Sequence, residues 1–154
     1  MRILPLVLLV VLAGCDSRPV TPERRASDSS VEPWYGQTVD ELTGLNRQAK
    51  ELFRRGKSNE AAALITEGEP MSSRLLSVPH PTLAATEAAS DLDELYARML
   101  FSNRNYGWAR LLFQKNLARW KYWRPQTRDT VDRLKQAEAS IAECDRQMES
   151  ESAR

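Results

Sequence analysis

The chain of 154 residues offers little nucleophilic or metal-binding chemistry, because it has two cysteines, Cys15 and Cys144, and one histidine, His80. One imidazole between two prolines cannot build a histidine-rich metal site, and the pattern holds no orienting partner for a Ser-His-Asp triad. There is also no CxxC pair and no glycine-rich phosphate loop. We therefore expect no catalysis, no metal and no cofactor.

Cys15 follows a segment that is built like a secretion signal. A short basic start is followed by a ten-residue apolar run, Ile3 to Leu12, which is interrupted by one proline. This run is too short to span a bilayer, which takes about 20 helical residues, and it has the length of a signal-peptide core. The small pair Ala13-Gly14 then precedes the cysteine, as small residues do at a cleavage site.

The four residues Leu12-Ala13-Gly14-Cys15 resemble the lipobox of bacterial lipoproteins at every position. In that family the cysteine thiol receives a diacylglycerol, the chain is cut before the cysteine, and the new amine is acylated. The resemblance implies that residues 1–14 are a signal peptide and that Cys15 anchors the chain by lipid in the bacterial cell envelope. Asp16 favours the periplasmic face of the inner membrane, with the outer membrane as the alternative.

The densest group of interaction-prone side chains, the aromatic-basic cluster, covers residues 119–124. Our candidate partner-binding residues within it are Arg119, Trp120, Tyr122, Trp123 and Arg124. Such a cluster could bind a protein, stack on sugar rings or lie among lipid headgroups. Alternatively, Trp120 belongs to the core, and Tyr122 and Trp123 pack under the turn at Pro125. Trp123 and Arg124 are the better candidates, because they lie off the apolar stripe that ends at Trp120.

The elements that must position these residues are helical. Residues 15–37 are rich in proline, serine and charge, which indicates a disordered tether, and Trp34-Tyr35 would pack at the domain edge. Apolar residues then recur at helical spacing over 38–149, and no stretch alternates as a strand does. We expect the first helix to be capped at Thr38 and the second to cover 59–67 and to stop near Pro70. The third helix should begin at Pro81 or Thr82, and Asn105 should cap the fourth. The last helix should cover 126–148 and be followed by a disordered tail over 150–154.

Cys144 falls on the apolar stripe of the last helix, so we expect a buried thiol, with a redox-active thiol as the alternative.

Two segments of the helical domain share one spacing of small and large residues. Ala49, Leu52, Gly56, Ala61 and Ile65 in the first correspond to Ala97, Leu100, Arg104, Ala109 and Phe113 in the second. This spacing resembles the tetratricopeptide repeat, a helix–turn–helix unit of 34 residues. The resemblance implies an all-α fold of helical hairpins, about two repeats, with a C-terminal capping helix. The larger offset between the segments and the arginine at the turn depart from the family, and an unrelated bundle is the alternative.

These patterns together predict a lipid-anchored envelope protein that acts as a non-catalytic adaptor or assembly module. Tetratricopeptide domains bind peptides and proteins, so the resemblance implies an envelope protein as partner. The alternative is a cell-wall or glycan-binding lipoprotein that uses cluster 119–124. Because 22 Lys and Arg nearly balance 21 Asp and Glu, we expect no nucleic-acid partner. The oligomeric state stays open.

Overall fold

The computed structural model describes residue 30 and residues 32–153, and in that part of the chain it has five α-helices and no strand. The helices are α1 (Pro33–Arg54), α2 (Ser58–Leu76), α3 (Leu83–Ser102), α4 (Tyr106–Tyr122) and α5 (Arg128–Ser152). Helices α1 and α2 form one hairpin, α3 and α4 form a second, and α5 packs on α4. The predicted all-α arrangement of tetratricopeptide-like hairpins with a C-terminal helix is confirmed. The signal peptide, Cys15 and most of the predicted tether lie outside the described residues.

The turns of the two hairpins have the same backbone conformation. Gly56 has a φ of +76°, and Arg104 at the equivalent position has a φ of +61°. In both turns the next amide donates to a carbonyl five residues earlier, Lys57 N to Leu52 O and Asn105 N to Leu100 O, each at 2.9 Å. This is the Schellman motif, which needs one left-handed residue after the helix end. The sequence equivalence of the two segments therefore extends to their backbone hydrogen bonds.

Replacing Arg104 by glycine is expected to raise the free energy of unfolding by about 0.5–1 kcal/mol, because a side chain at positive φ crowds its own carbonyl. Gly56→Ala is the reverse experiment at the equivalent turn and should lower stability by about 1 kcal/mol. Urea denaturation followed by circular dichroism measures both. A destabilised Arg104→Gly variant would contradict the prediction.

Helix α3 is the central element, since it packs against α1, α2 and α4. One group of buried apolar side chains joins α1, α2 and α3, and a second joins α3, α4 and α5 around Phe113 and Cys144. The four alanines of the repeated pattern lie in these cores: Ala49, Ala61, Ala97 and Ala109 are fully buried. Small side chains at these positions let neighbouring helices approach closely, as the pattern predicts.

The start of the helical domain differs from our prediction. Helix α1 begins at Pro33, and the Thr38 hydroxyl does not cap it but donates to Trp34 O inside the helix at 2.8 Å. Proline suits a first helical position because its missing amide hydrogen is not needed there. Tyr35 is not at the domain edge but in the core, where its hydroxyl donates to Leu75 O at 3.3 Å and accepts from Thr82 N at 3.1 Å. That hydroxyl ties the first helix to the connection between α2 and α3.

Helix α2 does not stop near Pro70, as we expected, but continues to Leu76. Proline removes one backbone hydrogen bond from a helix interior. Two buried residues on either side of it, Gly68 and Leu75, hold the helix on the core: a Cβ on Gly68 would lie 3.0 Å from side-chain atoms of Leu42 and Leu92. Tertiary packing thus outweighs the local signal for a helix end.

The remaining helix boundaries also shift from the prediction. The cap of α3 is Thr82, which accepts from Ala85 N at 3.2 Å, so Pro81 precedes the helix. Asn105 occupies the cap position of α4 without a side-chain capping bond. A capping box of Thr127 and Thr130 starts α5, which then runs to Ser152 through most of the predicted tail. No residue in 150–152 interrupts a helix, and the hydroxyls of the two serines bond back to the preceding turn.

Candidate interaction surfaces

The main concavity is a groove of about 840 Å³. One wall comes from α1, with Thr43, Asn46, Arg47 and Lys50, and the other from α5, with Asp129, Asp132, Arg133, Gln136 and Ala137. Residues of α3 lie between these walls, and two side chains of α4, Asn116 and Trp120, reach the lining. The groove therefore joins the first helix of the structure to the last, as the inner faces of stacked hairpins do.

The two walls carry unpaired charges of opposite sign. Arg47 and Lys50 on α1 are exposed and form no ion pair with any described residue. On α5, Asp129 has no cationic partner within the described residues, and Asp132 is 3.9 Å from Arg128. The other charged side chains of the lining are paired, because Arg133 on α5 binds Asp91 on α3 at 2.6 Å and Arg98 binds Glu94 within α3 at 2.9 Å. The groove is thus basic along α1 and acidic near the start of α5.

Asn46 lines the groove and has one buried side-chain oxygen without a hydrogen-bond partner. Its Nδ2 donates to Ala88 O at 2.8 Å, which fixes the side chain between α1 and α3. Its Oδ1 is the one buried side-chain nitrogen or oxygen in the described chain that has no hydrogen-bond partner. An unpaired buried acceptor costs about 1–3 kcal/mol, so this oxygen lowers the stability of the packing between α1 and α3.

The aromatic-basic cluster does not form one surface, because neighbouring residues of a helix point in different directions. Trp120 is 1% exposed, and its Nε1 donates to Ser90 Oγ at 2.9 Å. The Arg119 side chain is 11% exposed and binds Asp93 at 2.9 Å. These two candidate residues hold α4 against α3, and Trp120 also reaches the lining of the groove.

The other part of the cluster lies at the surface. Tyr122 is 74% exposed, and Trp123 is half-buried after the end of α4. Arg124 is exposed, but its Nη1 donates to the carbonyls of Lys121 and Trp123 at 3.0 and 2.7 Å. The surface that remains from the predicted cluster is therefore Tyr122 and Arg124 with part of Trp123.

Our reading of the sequence missed two exposed apolar residues on α4. Trp108 is 69% exposed and Leu111 is 53% exposed, and together with Tyr122 they are the large hydrophobic residues exposed in the described chain. Their helical positions lie opposite the buried stripe of Ala109, Phe113 and Trp120. The sequence of α4 has apolar residues at helical spacing on two opposite sides, which indicates one buried and one exposed apolar stripe. Our sequence analysis considered only the stripe that faces the core.

Cys144 and His80 lie in contrasting environments. The His80 side chain is exposed in the connection before α3. Cys144 is a free, fully buried thiol packed against Ala97, Ala109 and Phe113, as we expected from its place on the apolar stripe of the last helix. Burial raises the pKa of the Cys144 thiol, and the neighbouring Asp145 carboxylate raises it further. The thiol is therefore protonated and poorly nucleophilic in the folded chain.

Cys144 is expected to react with iodoacetamide at least about a hundredfold more slowly in the native chain than in urea, because access requires local opening. A Cys15→Ser background leaves Cys144 as the one thiol, and mass spectrometry follows its alkylation. Because the pKa of the Cys144 thiol is higher in the folded chain than in the unfolded chain, the protonated thiol contributes to the free energy of unfolding at neutral pH. This contribution is lost as the pH rises through and beyond the ordinary thiol range. Rapid native labelling at pH 7 would contradict the burial.

Within residues 30 and 32–153 no group of three or more His, Cys, Asp or Glu side chains is arranged to hold a metal ion. In the same part of the chain, no helix combines the length and apolar character needed for a membrane span. Comparison with protein-family models, with curated proteins and with solved structures found no significant match to this chain.

Proposed function

We propose that this chain is a lipid-anchored envelope protein that acts without catalysis as an interaction module. In this proposal the groove between α1 and α5 binds a segment of an envelope protein. The observation that carries it is the groove itself, with unpaired charges of opposite sign on its walls. A bound segment would offer carboxylates to Arg47 and Lys50 and a cation to Asp129.

The anchoring part of the proposal depends on the lipobox resemblance at Leu12-Ala13-Gly14-Cys15. Mass spectrometry of the mature N-terminal peptide should find a chain that begins at Cys15 and carries acyl groups. Asp16 favours a location on the periplasmic face of the inner membrane over the outer membrane. An unmodified cysteine, or cleavage at another bond, would reject the anchor while leaving the groove proposal intact.

The groove is tested by photo-crosslinking in the native envelope. A crosslinking amino acid at Thr43, on the α1 wall, should give a defined adduct, whereas the same amino acid at exposed Thr66 on α2 should not. Lys50→Glu should abolish the Thr43 adduct. Lys57→Glu is the matched control, since Lys57 is also exposed but lies in the turn outside the groove. An adduct that survives Lys50→Glu, or equal adducts from both positions, would reject the groove as the binding site.

Cell-wall or glycan binding through cluster 119–124 stays an alternative prediction, with exposed Tyr122 and half-buried Trp123 as its aromatic residues. Retention of the chain on isolated wall material, lost in Tyr122→Ala, would favour it over the adaptor.

A further inference from the structure

The outer face of α4 has an apolar stripe that no other described helix covers. Trp108, Leu111, Lys115, Ala118 and Tyr122 are all exposed. Their spacing of three, four, three and four residues places them along one side of a helix. Asn116 and Trp120, the α4 residues that reach the groove, lie on the opposite side of the helix. The stripe and the groove therefore face away from each other.

The stripe lies in a stretch of sequence that has no negative side chains. Between Glu94 and Asp129 the chain contains no Asp or Glu. The cations of this stretch are Arg98, Arg104, Arg110, Lys115, Arg119, Lys121, Arg124 and Arg128. Several are paired with acids outside the stretch, but Arg104, Lys121 and Arg124 are exposed at the two ends of α4 and form no ion pair with a described residue. The apolar stripe thus has positive charge at both ends.

We propose that the α4 stripe lies on the surface of an anionic lipid bilayer. Trp and Tyr combine an apolar ring with a polar edge and suit the headgroup region, and Leu111 supplies apolar contact below it. The flanking cations match the negative potential of an anionic leaflet. A second copy of the chain related by a two-fold axis is a poorer occupant, because its stripe would bring cations against cations.

This contact is independent of acylation, and it orients the domain. One acyl chain gives only reversible binding to a membrane, whereas a basic apolar surface adds a second signal. With the stripe on the lipid, the groove opens away from the bilayer. The proposal thus adds an orientation to the proposed function and does not depend on a lipid at Cys15.

The test uses the full chain with Cys15→Ser, which carries no lipid, and an environment-sensitive label at Ala118→Cys in the stripe. The label is attached to the folded chain, in which Cys144 is buried, and mass spectrometry checks that each chain carries one label. The matched control carries the label at Ala63→Cys, on the exposed face of α2. Vesicles contain phosphatidylglycerol with brominated phosphatidylcholine. Because both proteins have the same N-terminal apolar run, binding through that run alone would not distinguish the two labels. We expect lipid quenching at position 118, loss of quenching at high salt, and none at position 63.

Two further variants test the chemistry of the contact. Trp108→Ala with Leu111→Ala should weaken the quenching-derived partition at least about tenfold, since both side chains leave the lipid. Lys121→Glu should weaken it on anionic vesicles, whereas Lys57→Glu should not. Three outcomes would each overturn the proposal. The first two are equal quenching of the labels at 118 and 63 and no quenching of either label. The third is a label at 118 that is already shielded by dimer formation without vesicles. Circular dichroism of every variant confirms that the helices are intact.

Discussion

Replacement of Asp93 by alanine is expected to lower the free energy of unfolding by about 3–5 kcal/mol, which is a large share of the total for a domain of this size. Asp93 is 8% exposed in α3 and binds two cations of α4, Lys115 at 3.0 Å and Arg119 at 2.9 Å. Its removal leaves the Arg119 guanidinium buried with the Asn116 amide oxygen as its remaining partner. An uncompensated buried charge is the physical cause of the loss.

The control is Glu51→Ala, which breaks the exposed pair of Glu51 with Arg55 and should change stability by less than about 0.5 kcal/mol. Arg119→Ala should also destabilise the fold, and the double variant of Asp93 and Arg119 should lose less than the sum of the two single losses. Chemical denaturation of the four variants gives these values. Additive losses would show that the two side chains act separately, contrary to the geometry.

Overpacking at the repeated alanines gives the second large effect. Ala61→Leu and Ala109→Leu are each expected to lower stability by about 1–3 kcal/mol, because both positions are fully buried between close helices. Ala63→Leu on α2 and Ala118→Leu on α4 are matched controls at exposed positions of the same helices. These controls should stay within about 0.5 kcal/mol of the parent. Thermal or urea unfolding that shows all four variants alike would remove the basis for treating the two hairpins as equivalent.

The repeated pattern was the most informative part of the sequence for the fold. It correctly predicted that Ala61 and Ala109 are buried and that equivalent turns lie at Gly56 and Arg104. The arginine departs from the pattern in residue type, but its backbone has the same left-handed conformation as the glycine. The helix end and the hydrogen bond from Asn105 N to Leu100 O can therefore hold a conformation that local preference disfavours.

Boundaries and surfaces were predicted less well, for identifiable reasons. Our predictions place Pro33 in the tether and a helix end near Pro70. Pro33 instead occupies the first position of α1, and Pro70 lies within α2, which tertiary packing holds. For cluster 119–124, the alternative that Trp120 belongs to the core is confirmed, whereas Tyr122 is exposed and does not pack under the turn at Pro125. A helix turns by about 100° per residue, so Trp120 faces the core and Tyr122 faces outward.

The groove could not be derived from the sequence. It depends on the placement of Asn46 beside α3 and of Asp129 across from α1, and these residues are far apart along the chain. Nothing in the local pattern distinguishes Asn46 from a polar residue on a solvated helix face. Its buried, unpaired oxygen becomes visible only when α3 is packed against α1.

The serial packing of the five helices has a consequence for local opening. Helix α5 packs on α4 at one end of the stack, and it has no comparable packing against α1 or α2 in the described chain. Detachment of α5 would break its packing on α4 and its side-chain contacts with α3, such as the ion pair of Arg133 with Asp91, and would leave the first hairpin intact. Hydrogen exchange should therefore be faster in α5 than in α3. Since α5 also supplies the acidic wall, a segment bound across the groove would join the two ends of the stack. Binding of a segment in the groove should then slow amide hydrogen exchange in α5, at the opposite end of the stack from α1.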